Sequence, residues 1–499
     1  MKFLQLTFSF FASLLVLVAC EQEPRSVIYT IVVDEEIGCS YDAQAIEISY
    51  RLTDHDTTPE DESMGNITAV CNADWVTAID TSTHGKIVLD VTANDGDVRK
   101  AKLTISAVGH AKTNVEIVQL ASPKGKVEHT LLFYFFGTSL DRYFRDNIAD
   151  ASEAIANGAL GGYGRVIFFR QINRAKGYIG ELCYNPEQNS CIERHIMDVS
   201  LATPAITPEI IAQNIALMAE QADADRYGLV LAGHGQGWIT KEILNGDIAS
   251  AQLSSTYNPW SQALGADVTR AFGESNVQVN ISELATGIEQ SGVDIDYILF
   301  DACFMANIEA VYELRNSANY IIASPCEIMG RGFPYHRTLP YLFANDGEES
   351  NLAGAAESYN RYYRSEYVGS SRCGSVALFD CSEVKALVDA TRDVVASAKE
   401  EYDIDAIQTY EGHAVHIFYD LGHWATTVAT DQVALDAFHQ QLERVIIAKY
   451  TLPTFYSAYG SHGTHEIDES VYSGVTTSAA SLAYPTEWRK TSWYKAVWE

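Results

Sequence analysis

Positive charge is scarce in this 499-residue chain: 34 Lys and Arg stand against 66 Asp and Glu, a formal net charge of −32. That balance argues against nucleic acid or anionic lipid as a partner and is compatible with cationic ligands. Beyond residue 20 no stretch approaches eighteen uninterrupted apolar residues, so no transmembrane helix is expected there. GxGxxG and Walker loops, which cradle phosphates, are missing. The aromatic residues lack the basic interleaving of a nucleic-acid reader. Nine cysteines are present, but with no CxxC and no alternating Cys/His spacing of a structural zinc site. Gly233-His234-Gly235-Gln236-Gly237 imitates a serine nucleophile elbow, yet glycine stands at the serine position, which excludes that chemistry there.

What is present begins with Lys2, an apolar run from Phe8 to Ala19, and Leu17-Val18-Ala19-Cys20. The run is short for a bilayer span and reads as a signal segment over residues 1–20. Its end resembles the bacterial lipobox, which implies Cys20 as the lipidated first residue of the mature chain. A cleavage nearby by an ordinary signal peptidase is the alternative. Lipid alone would then hold the protein to a membrane, placing it at a bacterial cell envelope, outer membrane or cell surface. Export permits disulfides, for which Cys183 and Cys191, flanking a loop-like Tyr-Asn-Pro-Glu-Gln-Asn-Ser, are the best pair.

With 47% hydrophobic residues the chain can bury more than one core. From residue 27 to 121 short alternating stretches such as Lys86-Ile87-Val88-Leu89-Asp90-Val91 lie between turn residues, and predict a small immunoglobulin-like β-sandwich. Residues 122–128 break the alternation and form a linker. From 129 to 499 buried apolar runs interleave with amphipathic segments, which predicts an α/β domain with a mainly parallel sheet. The first segments are Thr130–Phe136, Asp141–Asn157, Val166–Phe169, Thr207–Ala222 and Tyr227–Ala232. Thr207-Pro208-Glu209 supplies a cap, a first-turn proline and an acid for one helix.

In such sheets chemistry gathers at the carboxyl ends of strands. Leu229-Val230-Leu231-Ala232 runs into Gly233-His234-Gly235, and Tyr297-Ile298-Leu299-Phe300 runs into Asp301-Ala302-Cys303. An ordinary thiol is mostly protonated at neutral pH, and an adjacent imidazole raises its thiolate fraction or shuttles its proton. Cys303 is therefore the candidate nucleophile and His234 the general acid/base. The backbone N–H groups of Gly235 and Cys303 are the natural oxyanion donors. His413-x-x-His416 with His423 is a weaker pattern for a metal, with core or surface histidines the commoner meaning. No cofactor is required by the sequence, no metal site is assigned, and no oligomeric state follows.

The two apolar blocks ending in His-Gly and Ala-Cys resemble the signature of the caspase-fold cysteine peptidases. The Asp-Ala-Cys form, with Tyr320-Ile321-Ile322-Ala323-Ser324, Gly332-Phe333-Pro334-Tyr335 and a closing Tyr484-Pro485 and Trp498, is similar to the clostripain family. That resemblance implies a caspase-like α/β/α sandwich over 129–499 and endopeptidase activity on proteins or peptides after Arg or Lys. It implies Asp301 as an acid of the specificity pocket, unless Asp301 caps the following helix. Family members add a second acid after the next strand; here that segment is Ser324-Pro325-Cys326-Glu327-Ile328-Met329-Gly330-Arg331, so Glu327 would substitute and Arg331 would fill or repel. The family also allows activation by calcium and by self-cleavage, for which Lys241 is the candidate point. The N-terminal stretch resembles the BACON domain in Ala73-Asp74-Trp75-Val76, Leu89–Asn94, Arg99 and Val115–Gln119. A competing function is a catalytically inactive caspase-like protein that binds peptide or glycan. A glycan hydrolase lacks a carboxylate pair placed by motif.

Overall fold

Alternation of apolar and polar residues becomes short antiparallel sheets in the first part of the chain. The computed structural model describes residues 30–53, 67–122, 125–161, 164–185, 188–201, 206–247, 278–343 and 349–499. Residues 1–20, with Cys20, lie outside them, as do 123 and 124 of the linker stretch. The chain divides into two compact units, one from the described residues of 1–37, 45–91 and 101–116, the other from 38–44, 92–100 and 117–499. In the first, strand Lys86–Val91 buries Ile87, Leu89 and Val91 on one face and pairs antiparallel with Val76–Asp80. From residue 101 on, strand Arg99–Ser106 buries Ala101, Leu103 and Ile105 in the same rhythm and pairs with Thr68–Cys71. Period-two burial of this kind is the mark of strands with one covered face.

The second unit is built on a nine-stranded mixed sheet. Its strands are β1 (Val127–Phe135), β2 (Gly164–Asn173), β3 (Lys176–Asn185), β4 (Ser190–Ser200), β5 (Ala224–Ala232), β6 (Ile295–Asp301), β7 (Tyr320–Ala323), β8 (Val376–Asp380) and β9 (Ile446–Tyr450). They lie in the order β4-β3-β2-β1-β5-β6-β7-β8-β9. The pairings β2/β1, β1/β5, β5/β6 and β6/β7 are parallel. Those of β3 with β2 and β4, and of β8 with β7 and β9, are antiparallel. The expected mainly parallel sheet is thus confined to its five central strands. The β3/β4 hairpin escaped the sequence reading because it carries Glu181, Glu193 and Arg194 where a central strand has an apolar run.

Central strands are covered on both faces, so their residues read as continuous apolar runs. Alternation still decides which face each serves. Leu131, Phe133 and Phe135 of β1, Val230 and Ala232 of β5 and Leu299 of β6 enter one core. There they meet Phe144, Ile148 and Ile155 of α1 (Asp141–Ala156). Leu132, Tyr134, Leu229, Leu231, Ile298 and Phe300 enter the other core. They meet α2 (Pro208–Glu220), α3 (Ile281–Gln290) and α4 (Ile308–Leu314) through Ile211, Leu284 and Val311. Further along the chain, α5 (Tyr335–Leu342) and α6 (Leu352–Glu366) join α1 on the first face. Thr207 caps α2, accepting from the Ile210 N–H at 3.4 Å, with Pro208 at the first helical position as expected.

Cys183 and Cys191 do not form the expected disulfide; both are free. Their hairpin pairs Cys183 with Ile192 and Tyr184 with Cys191. Directly opposed residues share a face and neighbours along a strand do not, so this one-residue offset sends the two thiols to opposite faces.

Candidate active site

Both motif loops leave adjacent parallel strands at the same sheet edge. The ladder closes over them: the Phe136 N–H donates to the Ala232 carbonyl at 2.9 Å, and the Gly233 N–H to the Asp301 carbonyl at 3.3 Å. Beyond that point Gly235 lies against the Cys303 backbone. A Cβ on Gly235 would stand 2.3 Å from the Cys303 oxygen and 2.9 Å from the Cys303 nitrogen. Only a residue without a side chain fits there, which explains the second glycine of Gly-His-Gly and sets the two candidate oxyanion residues side by side. Gly237 takes a φ of +59°, and Trp238 ties the loop down by donating from Nε1 to Ser478 Oγ at 2.7 Å.

His234 is half-buried, and its Nε2 shares a hydrogen bond of 3.0 Å with Ser139 Oγ. Ser139 follows β1 in a loop without motif character, and sequence reasoning missed it. Cys303 is fully buried, and its Sγ accepts the Ile328 N–H at 3.1 Å. The same sulfur donates to the Ile328 carbonyl at 3.7 Å, so both backbone groups of Ile328 hold the thiol in place. The next residue, Phe304, has a φ of +60° although it is not glycine, and it stacks on Phe418 with ring centroids 4.9 Å apart. Such a conformation costs about 1–3 kcal/mol and persists only where surrounding contacts impose it. Here the Phe304 N–H to Cys326 carbonyl bond, 3.1 Å, and the stacked ring do so. Burial pushes Cys326 up to about 11, and Cys39, Cys183, Cys373 and Cys381 to about 12. Thiols held that high are inert at neutral pH.

Asp301 is fully buried. One carboxylate oxygen accepts the Phe333 N–H at 3.2 Å and the other the Tyr335 hydroxyl at 2.9 Å. The following helix, α4, is capped by Asn307, whose side chain accepts from the Ala310 N–H, and not by Asp301. Glu327 is also buried, and its Oε1 accepts from Ser457 Oγ at 3.0 Å and the Ala458 N–H at 2.8 Å. The neighbouring Tyr459 is held well above the usual phenol range by burial, reinforced by Glu327 and Cys303. Two carboxylates and a phenol thus gather on the Cys303 side, although Ser457 and Tyr459 come from far along the chain. Arg331 turns to α1, with Nη2 2.7 Å from Asp150 Oδ1 and Nη1 3.5 Å from Asp146 Oδ2.

Lys241 opens the one-turn helix Lys241–Leu244. Its ammonium bonds both Glu283 oxygens, at 2.7 and 3.0 Å. The three histidines of the weaker metal pattern serve different partners. His413 stacks on Tyr459, His416 Nδ1 lies 3.1 Å from Glu411 Oε2, and His423 Nδ1 accepts from the Gln408 N–H. Among the described residues no group of three or more His, Cys, Asp or Glu is placed to hold a metal ion.

Residues 206–420, which contain both loops, match the model of the clostripain family. Clostripain of Hathewaya histolytica is 24% identical over 243 residues, spanning 44% of this chain and 43% of that protein, so the likeness covers less than half of the relative. A secreted C11 cysteine protease of Bacteroides thetaiotaomicron, "iotapain", is 27% identical, with a TM-score of 0.64 over 74% of this chain and 99% of its own. An inactive zymogen C11 protease of Parabacteroides distasonis shares the fold, at 24% identity and a TM-score of 0.60 over 75% of this chain and 99% of its own.

Proposed function

We propose that this chain, a homologue of clostripain-family cysteine proteases, is an endopeptidase that uses Cys303 and His234. The observation that carries the reading is the fit of Gly235 against the Cys303 backbone, which brings the histidine loop onto the cysteine loop at one sheet edge. The Cys303 thiolate adds to the scissile carbonyl carbon. Negative charge on the carbonyl oxygen is met by the N–H groups of Gly235 and Cys303. As the C–N bond breaks, His234 gives its proton to the leaving amine, and an acyl-enzyme remains. His234 then takes a proton from water, whose oxygen adds to the thioester carbonyl, and the acid departs as the thiolate returns. Ser139 holds the imidazole through Nε2.

Cleavage after Arg or Lys is supported by the two buried carboxylates, Asp301 and Glu327, on the Cys303 side. A cationic side chain gains from their field, and Arg331 offers no competing charge because Asp146 and Asp150 hold it on α1. Lys241 serves as a self-cleavage point only after its pair with Glu283 opens. Attachment to the cell envelope through Cys20 remains part of the proposal, as does a BACON-like sandwich in the N-terminal stretch. The inactive binding protein is not favoured, since the matched relatives are proteases. Hydrolysis of Arg- and Lys-aminomethylcoumarin peptides is the test: wild type should turn them over and Cys303→Ala should not. Equal background rates for the two proteins would overturn the reading.

A further inference from the structure

A cavity of ≈ 70 Å³ lies beside the histidine loop, on the sheet face that carries α3. Phe136, Leu231, His234, Gln278, Leu284 and Met305 line it. Its walls are apolar apart from the loop and Gln278. That glutamine is 8% exposed, and among the described residues neither its amide nitrogen nor its amide oxygen has a hydrogen-bond partner. Buried amides are nearly always paired, so a buried glutamine with both ends open at a cavity wall marks a place where a polar ligand group belongs.

Position along the sheet says which group. The strand order β1-β5-β6-β7 sets Phe136 after β1, His234 after β5, Cys303 after β6 and Glu327 after β7. A peptide crossing this edge with its cationic side chain toward Glu327 lays its other half over His234 and Phe136. His234 is also the group that protonates the departing amine. We propose that this cavity is the leaving-group subsite. It takes the side chain of the residue that follows the scissile bond, while the Gln278 amide bonds the main chain of the departing strand. The inference rests on the peptidase reading above. A volume of 70 Å³ is about half of the ~150 Å³ that admits benzene, so the subsite selects small aliphatic side chains and rejects large aromatic ones.

The test is a panel of quenched peptides with Lys fixed before the scissile bond and Ala, Val, Leu, Phe or Trp after it. Wild type should favour Ala or Val over Trp by about tenfold or more in kcat/KM. Leu284→Ala, which enlarges the cavity, should shift the preference toward Leu and Phe. Gln278→Met, which keeps the length and removes the amide, should raise KM across the panel, and it serves if Leu284→Ala fails to fold. A lysyl chloromethylketone, which has no residue beyond the reacting carbon, reports the catalytic pair separately. If wild type takes up this label but the panel is flat and neither variant changes it, the subsite is wrong and the peptidase stands. If no label is taken up on Cys303, both fall together.

Discussion

Replacing Gly235 by alanine tests the packing on which the catalytic reading depends. The backbone at Gly235 is not left-handed, so alanine meets no conformational penalty there and any effect is steric. The new methyl carbon would sit 2.3 Å from the Cys303 carbonyl oxygen, and 2.9 Å from both the Cys303 nitrogen and Ala302 Cβ. Ordinary contact begins at 3.4 Å, so the two loops must part by about 1.1 Å. A displacement of ~1 Å at reacting groups lowers rates about 100-fold. At 1.36 kcal/mol per decade this is about 2.7 kcal/mol of transition-state stabilisation. Gly233→Ala is the matched control, since the nearest atoms to its methyl would be those of the Phe136 side chain, at 3.0 Å and beyond. The assay is kcat/KM on a Lys-aminomethylcoumarin peptide, corrected for active enzyme by titration, with thermal melting to confirm folding. A folded Gly235→Ala protein with more than about a third of wild-type kcat/KM would refute the reasoning, because the loops would then tolerate a separation that the mechanism does not.

Glu411 is buried and accepts from the Ile417 N–H at 2.7 Å, the Phe418 N–H at 3.2 Å, the His413 N–H at 2.7 Å and His416 Nδ1 at 3.1 Å. Burial raises its pKa, but the His416 hydrogen bond, the charges of His413 and His416 and the Ile417 N–H outweigh that and hold it below the usual carboxylate range. Its stabilisation is present above about pH 4.3 and lost as pH falls through the lower native value. His416 is raised, chiefly by its hydrogen bond to Glu411, so its share is present below about pH 6.5 and lost as pH rises through the native value. Glu411→Gln should therefore lower urea stability by about 1–3 kcal/mol, with the largest gap between those limits; a gap constant from pH 3.5 to 8 would contradict the assignment. For the β3/β4 hairpin, alkylation of the unfolded, unreduced chain should label both Cys183 and Cys191. A linked peptide containing the two would show that the register is wrong.

The proposed catalytic residues were legible because each follows an apolar strand directly, so that strand, loop and candidate side chain are written consecutively. What stabilises them was not. The Ile328 N–H that meets Cys303 Sγ is a backbone group and leaves no mark in residue type. Ser139 is one hydroxyl in an ordinary loop, and the Ser457–Tyr459 segment that receives Glu327 is brought in by the fold from some 130 positions away. Arg331 looked like an intruder in the specificity region because its partners, Asp146 and Asp150, show only as one face of a distant helix. The antiparallel flanks were lost for a different reason. Edge strands with a wet face carry charges, and in sequence such strands look like loops.

Strand phase links the two halves of the functional proposal. In β6 the residues alternate between faces: Leu299 serves the core beneath α1, and Phe300 serves the core beneath α3. The alternation continues past the end of the strand as far as Cys303, with Ala302 in the α3 core and Cys303 in the other, and stops at Phe304, which joins the same core as Cys303. Asp301, in step with Leu299 and Cys303, reaches Tyr335 on the α1 side. Ala302, one residue out of step, lines the cavity that His234 borders. The tripeptide Asp-Ala-Cys therefore places an acid and a thiol on one face and a methyl group on the other. In the proposed reaction, the half of the substrate that stays attached as acyl-enzyme and the half that leaves as amine lie over opposite faces of one sheet edge. The period of a β-strand is enough to separate them.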